Sequence, residues 1–280
     1  MPVASEQVYG DLMNAIEKDQ LVLPTLPEVA LKAREVAEDP EVCGADLSKV
    51  VSNDAALSAR IIKVANSPLL RANRKIEDLL MAINRLGITF TANLITGLAM
   101  EQMFQATNDI VDTKMREIWS HSTEVAGIAH VLCKHFTKLK PDQATLAGLI
   151  HEIGALPILT YAEEHEELLQ DENTLNEVIE KIHPRIGTKI LQTWDFPEEL
   201  QSIPENYLNF NRTEGNEKAD YVDIVLVANL QSYVDSDHQY TEMDWSKIPA
   251  FQRLGLDPDI DSQEGEDLSE QMKAAASLLQ

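Results

Sequence analysis

The amino-acid sequence predicts an all-α protein. Apolar residues recur at helical spacing along most of the chain, as at Val125, Ile128, Ala129 and Leu132, and this spacing places them on one side of a helix. No segment shows sustained alternation of polar and apolar residues between hairpin turns, so a sheet is not expected. Hydrophobic residues make up 44% of the 280 residues, which is enough to bury a core.

The composition excludes several classes of partner. The chain has 23 basic and 47 acidic residues, a formal net charge of −24. Nucleic acids and anionic membranes are bound by clusters of Lys and Arg, so we expect neither as a partner. No run approaches the roughly 18 apolar residues of a membrane span, and the acidic residues 1–20 do not resemble a secretory signal. The expected location is the cytoplasm. The two cysteines, Cys43 and Cys133, have no metal-ligand spacing and are expected to be buried.

Several helix boundaries can be placed from proline, glycine and capping residues. Residues 23–27, with the sequence Leu-Pro-Thr-Leu-Pro, predict an extended segment that leads into a helix. Asp54 is the expected cap of a helix that begins at Ala55. Gly87 is expected to separate two helices.

The sequence also predicts two halves. The polar residues 109–113 indicate a joint between them, and Pro141 is expected to precede a helix that carries His151. Residues 257–267 are acidic and poor in apolar groups, which predicts a flexible linker. We therefore expect an N-terminal helical extension (1–20), one domain (21–235) made of two helical halves (21–108 and 109–235), and an acidic linker with a C-terminal helix that docks on its own chain (236–280).

The residues that could carry chemistry are histidines close in sequence to polar or charged groups. His151 and Glu152 follow an apolar run, and we expect them inside an apolar helix. Such groups are rarely buried without a partner. The other candidates lie upstream and downstream of this pair; they are His121, His183, Arg185 and Asn229.

These stretches, taken in order, resemble the HDOD family, a group of helical signalling domains related to the HD phosphohydrolases. The N-terminal signature consists of residues 23–30 (LPTLPEVA), residues 57–67 (LSARIIKVANS) and residues 82–87 (AINRLG). The C-terminal half resembles an HD domain. The resemblance runs from about residue 21 to about residue 234 and implies a multi-helix HDOD fold, with an N-terminal helical half packed on an HD-like half.

The same resemblance implies positions for a metal centre, and this chain departs from the family at two of them. His121 corresponds to the first histidine of HD phosphohydrolases, and His151 to the histidine of their histidine–aspartate pair. Glu152 stands in place of the aspartate of that pair, and Asn229 in place of the distal aspartate. His183 corresponds to a further histidine of two-metal relatives. Residues 204–207 stand where some relatives carry paired histidines.

These departures predict a degraded site. Asn229 offers a neutral amide, and Glu152 moves its oxygens outward by one methylene, whereas metal sites tolerate displacements of only about 0.2 Å. We therefore expect no catalytic residue and no cofactor, with His121, His151, Glu152, His183 and Asn229 as vestigial ligands. Any cofactor would be a divalent metal (Zn, Mn, Fe or Mg), since three imidazoles and one glutamate can still bind zinc. Arg185 is a candidate for meeting an anionic ligand.

Two classes of function remain. The first, implied by the resemblance, is a non-catalytic regulatory module of signal transduction that binds a protein partner or a small ligand. The second is a divergent metal-dependent phosphohydrolase that acts on a nucleotide or cyclic nucleotide. Expected partners are signalling proteins that bind at the junction of the two halves, with a nucleotide as an alternative ligand; a homodimer is compatible with the sequence. Bound metal together with phosphoester turnover would separate the two classes.

Overall fold

The computed structural model describes residues 10–15, 18, 23–67, 70, 75–213, 218–256, 263–276 and 279. Within these residues all regular elements are helical, which confirms the all-α prediction. The N-terminal half contains α1 (Glu28–Glu38), α2 (Gly44–Val51), α3 (Ala55–Ala65), α4 (Leu79–Leu86) and α5 (Ile88–Ala99). The HD-like half and the C-terminal region contain α6 (Asp109–Phe136), α7 (Pro141–Ile150), α8 (Ala155–Glu163), α9 (Glu166–Leu169), α10 (Glu172–Thr193), α11 (Glu198–Gln201), α12 (Ile203–Asn206), α13 (Tyr221–Ser232), α14 (Pro249–Leu254) and α15 (Gln263–Ala276). Short 3₁₀ turns lie at Met100–Met103, Gln239–Glu242 and Trp245–Lys247.

The helix boundaries that depend on local chemistry lie where the sequence predicts them. The Asp54 carboxylate accepts a hydrogen bond from the Leu57 amide at 2.9 Å and caps α3. Gly87 ends α4 and begins α5 with a φ of 87°, a backbone conformation that favours glycine. The sharp turn between α4 and α5 follows from this glycine.

The two halves pack on each other and share one hydrophobic core. Helix α5 lies between α1 and α7, and the Asn93 side chain donates to Asp142 at 2.8 Å. The indole of Trp194 donates to the Pro24 carbonyl at 2.9 Å. Arg34 donates to the carbonyl of Trp194 at 2.8 Å. These polar contacts fix the N-terminal half against the HD-like half.

Three details of the sequence analysis were wrong. Residues 109–113 are helical and not a loop-like joint, because the Asn108 side chain accepts from the amides of Ile110 and Val111 and caps the 28-residue helix α6. His151 and Glu152 lie in the tight turn between α7 and α8, and not inside a helix. Cys43 is exposed, because it caps α2 through a contact between its sulfur and Asp46.

The C-terminal helix α15 packs against α6. The contact depends on Gly127, where a Cβ atom would lie 2.4 Å from the carbonyl carbon of Ala275. The carbonyl of Leu279 accepts from Arg60 at 2.5 Å. Most of the predicted linker (257–262) lies outside the described residues, as do residues 1–9, whereas residues 263–267 belong to α15.

One described segment is long and apolar enough to cross a membrane, contrary to the expectation from sequence. It is Pro141–Glu163, and 83% of its 18-residue apolar window is buried inside the protein. The helical segments Leu79–Leu86 and Ile88–Met103, which meet at a sharp bend, are together long and apolar enough to cross a membrane only if both are taken as one span. Burial of this kind is expected for the central helix of a globular core.

Candidate functional site

The HD-like half brings the five predicted ligand positions to one end of a cavity. His121 lies in α6, His183 in α10 and Asn229 in α13, while His151 and Glu152 occupy the turn after α7. All but His151 line the cavity, whose volume is about 600 Å³. The ring of His151 lies directly behind, with its centroid 5.5 Å from that of His121.

Two glycines allow the turn that carries His151 and Glu152 to approach its neighbours. A Cβ atom on Gly148 would lie 2.4 Å from the Cα of Ala126, which is in α6. A Cβ atom on Gly154 would lie 1.9 Å from the carbonyl oxygen of His183. Real side chains do not tolerate such distances. Because these two positions carry no side chain, the turn with His151 can lie close to α6, which carries His121, and to α10, which carries His183.

His121 is paired with the residue that replaces the distal aspartate. Its Nε2 lies 2.9 Å from Asn229 Oδ1 and 3.4 Å from the Tyr233 hydroxyl. Because a carbonyl oxygen only accepts, the imidazole N–H donates to Asn229. The nitrogen that faces the centre of the site therefore carries a proton.

His151 has one satisfied nitrogen and one free nitrogen. Its Nδ1–H donates to the Gly148 carbonyl at 2.7 Å. Its Nε2 is buried without a hydrogen-bond partner among the described residues, and Glu152 Oε2 is 4.0 Å away. Burial lowers the pKa of His151 to about 4, so the ring is neutral at pH 7 and Nε2 presents a lone pair.

His183 is covered by Tyr207, a residue from the segment where some relatives carry paired histidines. The Tyr207 hydroxyl lies 3.1 Å from His183 Nε2 and 3.5 Å from Glu152 Oε1. Burial lowers the pKa of His183 to about 3. Burial, reinforced by the Glu152 charge, also raises the pKa of Tyr207. Both groups are therefore neutral at pH 7.

The arrangement offers a partial metal site. One ligand atom from each of His121, His151 and Glu152 lies within 4.8 Å of the others. The free Nε2 of His151, held by a backbone carbonyl on the opposite nitrogen, is typical of a metal-ligating histidine. To bind an ion through Nε2, His121 must give up the proton on that nitrogen and its hydrogen bond to Asn229. The cluster can therefore supply ligands for one ion, and through this nitrogen only after that rearrangement.

The cavity also contains residues that sequence reasoning missed. His238 stacks on Tyr233 with ring centroids 3.8 Å apart, and Tyr233 in turn stacks on His121. Tyr240 packs edge-on against both Tyr233 and His238. Residues 233–240 follow α13 and close over the site. No spacing in the sequence signals this contact, since it depends on how the chain turns after α13.

Acidic groups dominate the charge of the cavity. Glu117, Glu152 and Glu180 line it, and Lys114 is the one Lys or Arg among its described lining residues. Arg185, the predicted contact for an anion, is exposed and turns toward Met13, with 3.6 Å between Nη1 and Sδ. Arg185 does not belong to the described lining of the cavity.

The fold and the histidine cluster together define a helical protein of the HD type with an altered ligand set. Comparison with known families places it more narrowly. The HDOD domain matches residues 23–208, well over half of the chain. The protein belongs to the HDOD family.

Similar proteins support this assignment. A crystal structure from Shewanella amazonensis SB2B, of a protein provisionally named a metal-dependent phosphohydrolase, is 32% identical. It superposes with a TM-score of 0.84 over 97% of this chain and 99% of its own. An HDOD domain protein of unknown function from Geobacter sulfurreducens is 20% identical, with a TM-score of 0.63 over 97% of each chain, and shows the fold alone. An uncharacterised protein of Treponema pallidum (strain Nichols) is 24% identical over 247 residues. Those residues are 82% of this chain and 46% of that protein, so the chain spans about half the length of this curated relative.

Proposed function

We propose that this protein is a non-catalytic regulatory module of signal transduction, which acts by binding a protein partner or a small ligand. The observation that carries the proposal is the hydrogen bond from His121 Nε2 to Asn229 Oδ1, at 2.9 Å. In an HD phosphohydrolase both positions would point at a metal. In this protein the two side chains point at each other, because the Asn229 amide oxygen accepts a hydrogen bond from the imidazole N–H and no ion is needed to satisfy either group.

The charge of the site supports the same proposal. Asn229 carries no charge, so Glu152 is the one carboxylate among the five predicted ligand positions. Hard divalent ions prefer anionic oxygen, and the loss of one carboxylate weakens their attraction. Tyr207 also holds His183 in a contact within the protein. What remains is a stable polar cluster at the end of a cavity large enough for a small ligand.

The protein partner, in this proposal, binds a groove whose described lining lies in the HD-like half, close to the point where the chain enters it. Ile110, at the start of α6, is 52% exposed and lines this groove of about 530 Å³ together with Leu169 and Leu175. An exposed apolar side chain beside an apolar groove is typical of an interaction site. We also place the protein in the cytoplasm. We expect neither nucleic acid nor an anionic membrane as a partner, because the formal net charge is −24.

A partner capture experiment tests the binding half of the proposal. Protein with Ile110→Asp should lose the partner that wild type captures from the native organism, at an unchanged melting temperature, since an acidic residue is favourable in the first turn of a helix. The matched control is Leu80→Asp, on the exposed face of α4, which should keep the partner. Loss of the same partner in both variants would contradict the proposed surface.

A hydrolysis assay tests the non-catalytic half. Purified untagged protein should not hydrolyse bis(p-nitrophenyl) phosphate with Mn²⁺, Mg²⁺ or Zn²⁺ present. Elemental analysis should find less than one tightly held metal per chain. Turnover that disappears in His151→Ala would overturn the proposal.

The second candidate is a divergent metal-dependent phosphohydrolase that acts on a nucleotide or cyclic nucleotide. It is favoured by the free Nε2 of His151 and by the name of the 32% identical relative. A divalent ion held by His121, His151 and Glu152 would supply Lewis acidity for phosphoester hydrolysis. Stoichiometric metal and turnover in the wild type, both lost in His151→Ala, would establish this function.

A further inference from the structure

Carboxylates outnumber basic side chains in the described lining of the cavity. The exposed carboxylates of Glu117 and Glu180 stand at its mouth, and Glu152 lies at its inner end. Lys114 is neutralised by two ion pairs, at 3.2 Å with Glu117 and 2.9 Å with Glu172. No unpaired cation therefore remains in the described lining to receive a phosphate or carboxylate ligand.

Three tyrosines line the same cavity as these carboxylates. The charges of Glu152 and Glu180 both contribute to raising the pKa values of Tyr207, Tyr233 and Tyr240. The pKa of Tyr240 reaches about 12, with burial as the largest cause. Two carboxylates thus act on one shared wall, and a cation placed against that wall would be stabilised by both.

The inner end of the cavity is rich in acceptors. Glu152 lines it with carboxylate oxygens, and just behind the lining, 4.0 Å from Glu152 Oε2, His151 Nε2 is a buried lone pair with no partner among the described residues. A buried acceptor without a donor is unfavourable. A protonated amine has donors and no acceptors and can donate to Glu152, whereas a phosphate ester would bring further acceptors to this carboxylate.

We propose that the cavity binds a small organic cation with N–H donors, an aliphatic amine, and disfavours phosphorylated and other anionic ligands. This rests on the proposed function, in which the site binds a small ligand and performs no hydrolysis, and it names the class of that ligand. The amine lies against Glu152 and Glu180 and beside the rings of Tyr207 and Tyr240, which line the same cavity and attract cations.

Three probes of the same length test the charge preference. They are 1,4-diaminobutane, 1,4-butanediol and succinate, which carry charges of about +2, 0 and −2 at neutral pH because amines titrate near pH 10 and carboxylates near pH 4. Isothermal titration calorimetry on the full chain, in buffer with EDTA to exclude metal-mediated binding, should show binding of the diamine. The diol should bind about tenfold more weakly, and succinate and inorganic phosphate should give no binding.

Two variants with opposite expected effects separate charge from structural damage. Glu180→Gln should weaken diamine binding about fivefold, and Lys114→Gln should strengthen it several-fold, because the first removes a negative charge and the second a positive one. The matched control is Glu177→Gln, on the same helix but paired with Lys181 outside the cavity, which should leave binding within about twofold.

The outcomes distinguish this inference from the proposed function. Preferential binding of succinate or phosphate, no binding of the diamine, or identical diamine affinity in all three variants would overturn the inference alone. Phosphoester turnover that depends on His151 would overturn the proposed function, whatever the diamine result.

Discussion

At the scale of single residues, two side chains turn a metal-type site into a closed polar cluster. Asn229 accepts a hydrogen bond from His121, and Tyr207 contacts His183. Resemblance to the HD pattern was enough to select five residues that the structure brings together, since each lies in a recognisable stretch. It could not find Tyr233, His238 or Tyr240, because their position over the site depends on the turn after α13.

The residue-scale argument predicts that carboxylates restore metal binding. The double variant Glu152→Asp with Asn229→Asp should bind Mn²⁺ or Zn²⁺ at least about tenfold more tightly than wild type. The variant adds one anionic ligand, and it removes the amide to which the His121 N–H donates its hydrogen bond. Titration calorimetry of protein dialysed against chelator measures this change.

The control for that prediction adds the same charge elsewhere. Asn209→Asp lies outside the described lining of the cavity and should leave metal affinity unchanged. Equal affinity in the double variant and in wild type would show that the histidines do not converge on a common ion.

At the scale of secondary structure, boundaries set by a local cap or glycine were predictable and those set by packing were not. Asp54 and Gly87 act on their own neighbours, and both lie where the sequence placed them. Asp109 and Asp112 lie in the first turn of α6, and acidic residues in a first turn resemble a loop in sequence. The pair His151 and Glu152 leaves its helix because the chain must turn at Gly154 to pass His183.

The close approach at Gly154 predicts a large cost for one added methyl group. Gly154→Ala should lower the free energy of unfolding by roughly 3 kcal/mol, because its Cβ would meet backbone atoms of His183 and Gly187. Urea denaturation followed by circular dichroism measures the loss. Gly10→Ala, where a Cβ would have no neighbour within 4 Å, is the control and should be neutral or slightly stabilising. Equal stability of the two variants would show that α8 and α10 can separate freely.

The C-terminal helix should respond to a single change in α6. Gly127→Ala places a Cβ 2.4 Å from the backbone of Ala275, while alanine is favourable within α6 itself. We therefore expect α15 to detach and the rest of the fold to persist. Hydrogen–deuterium exchange should become faster in Gln263–Ala276 and stay unchanged in Tyr221–Ser232, which serves as the internal reference. Exchange that rises in both segments would mean that α15 is needed for the whole fold.

At the scale of the whole molecule, one core joins the two halves, and several histidines are buried inside it. His130, His151 and His183 are each at most 5% exposed. All three have pKa values lowered chiefly by burial. The sequence showed seven histidines but not which of them the core would surround, because burial of a polar ring depends on tertiary packing. Folding therefore opposes protonation of these rings, and the stability of the molecule depends on pH.

That dependence can be tested at His130, which lies outside the polar cluster. Its Nδ1–H donates to the Thr145 hydroxyl at 3.0 Å, since that hydroxyl already donates to the Pro141 carbonyl. Burial lowers the pKa of His130 to about 4, against 6.5 for a free histidine. The unfolded chain thus binds a proton at a higher pH than the folded one. The stability contributed by the neutral ring is fully present above about pH 6.5 and is lost as the pH falls toward 4.

We expect wild type to lose up to about 3 kcal/mol of its free energy of unfolding through His130 as the pH falls. His130→Gln cannot titrate, so the variant should not show this part of the loss. The measurement is the free energy of unfolding in urea at pH 7.5, 6.5, 5.5 and 4.5 for wild type and variant. At pH 7.5 the variant should have a lower free energy of unfolding than wild type, because it lacks the packing and the hydrogen bond of the imidazole. The gap should then narrow as the pH falls, because the wild type alone loses the His130 contribution. Protonation of carboxylates, which also relieves repulsion in a chain with a formal net charge of −24, affects both proteins equally and cancels in the difference. A gap that stays constant from pH 7.5 to 4.5 would show that His130 is protonated as readily in the folded protein as in water.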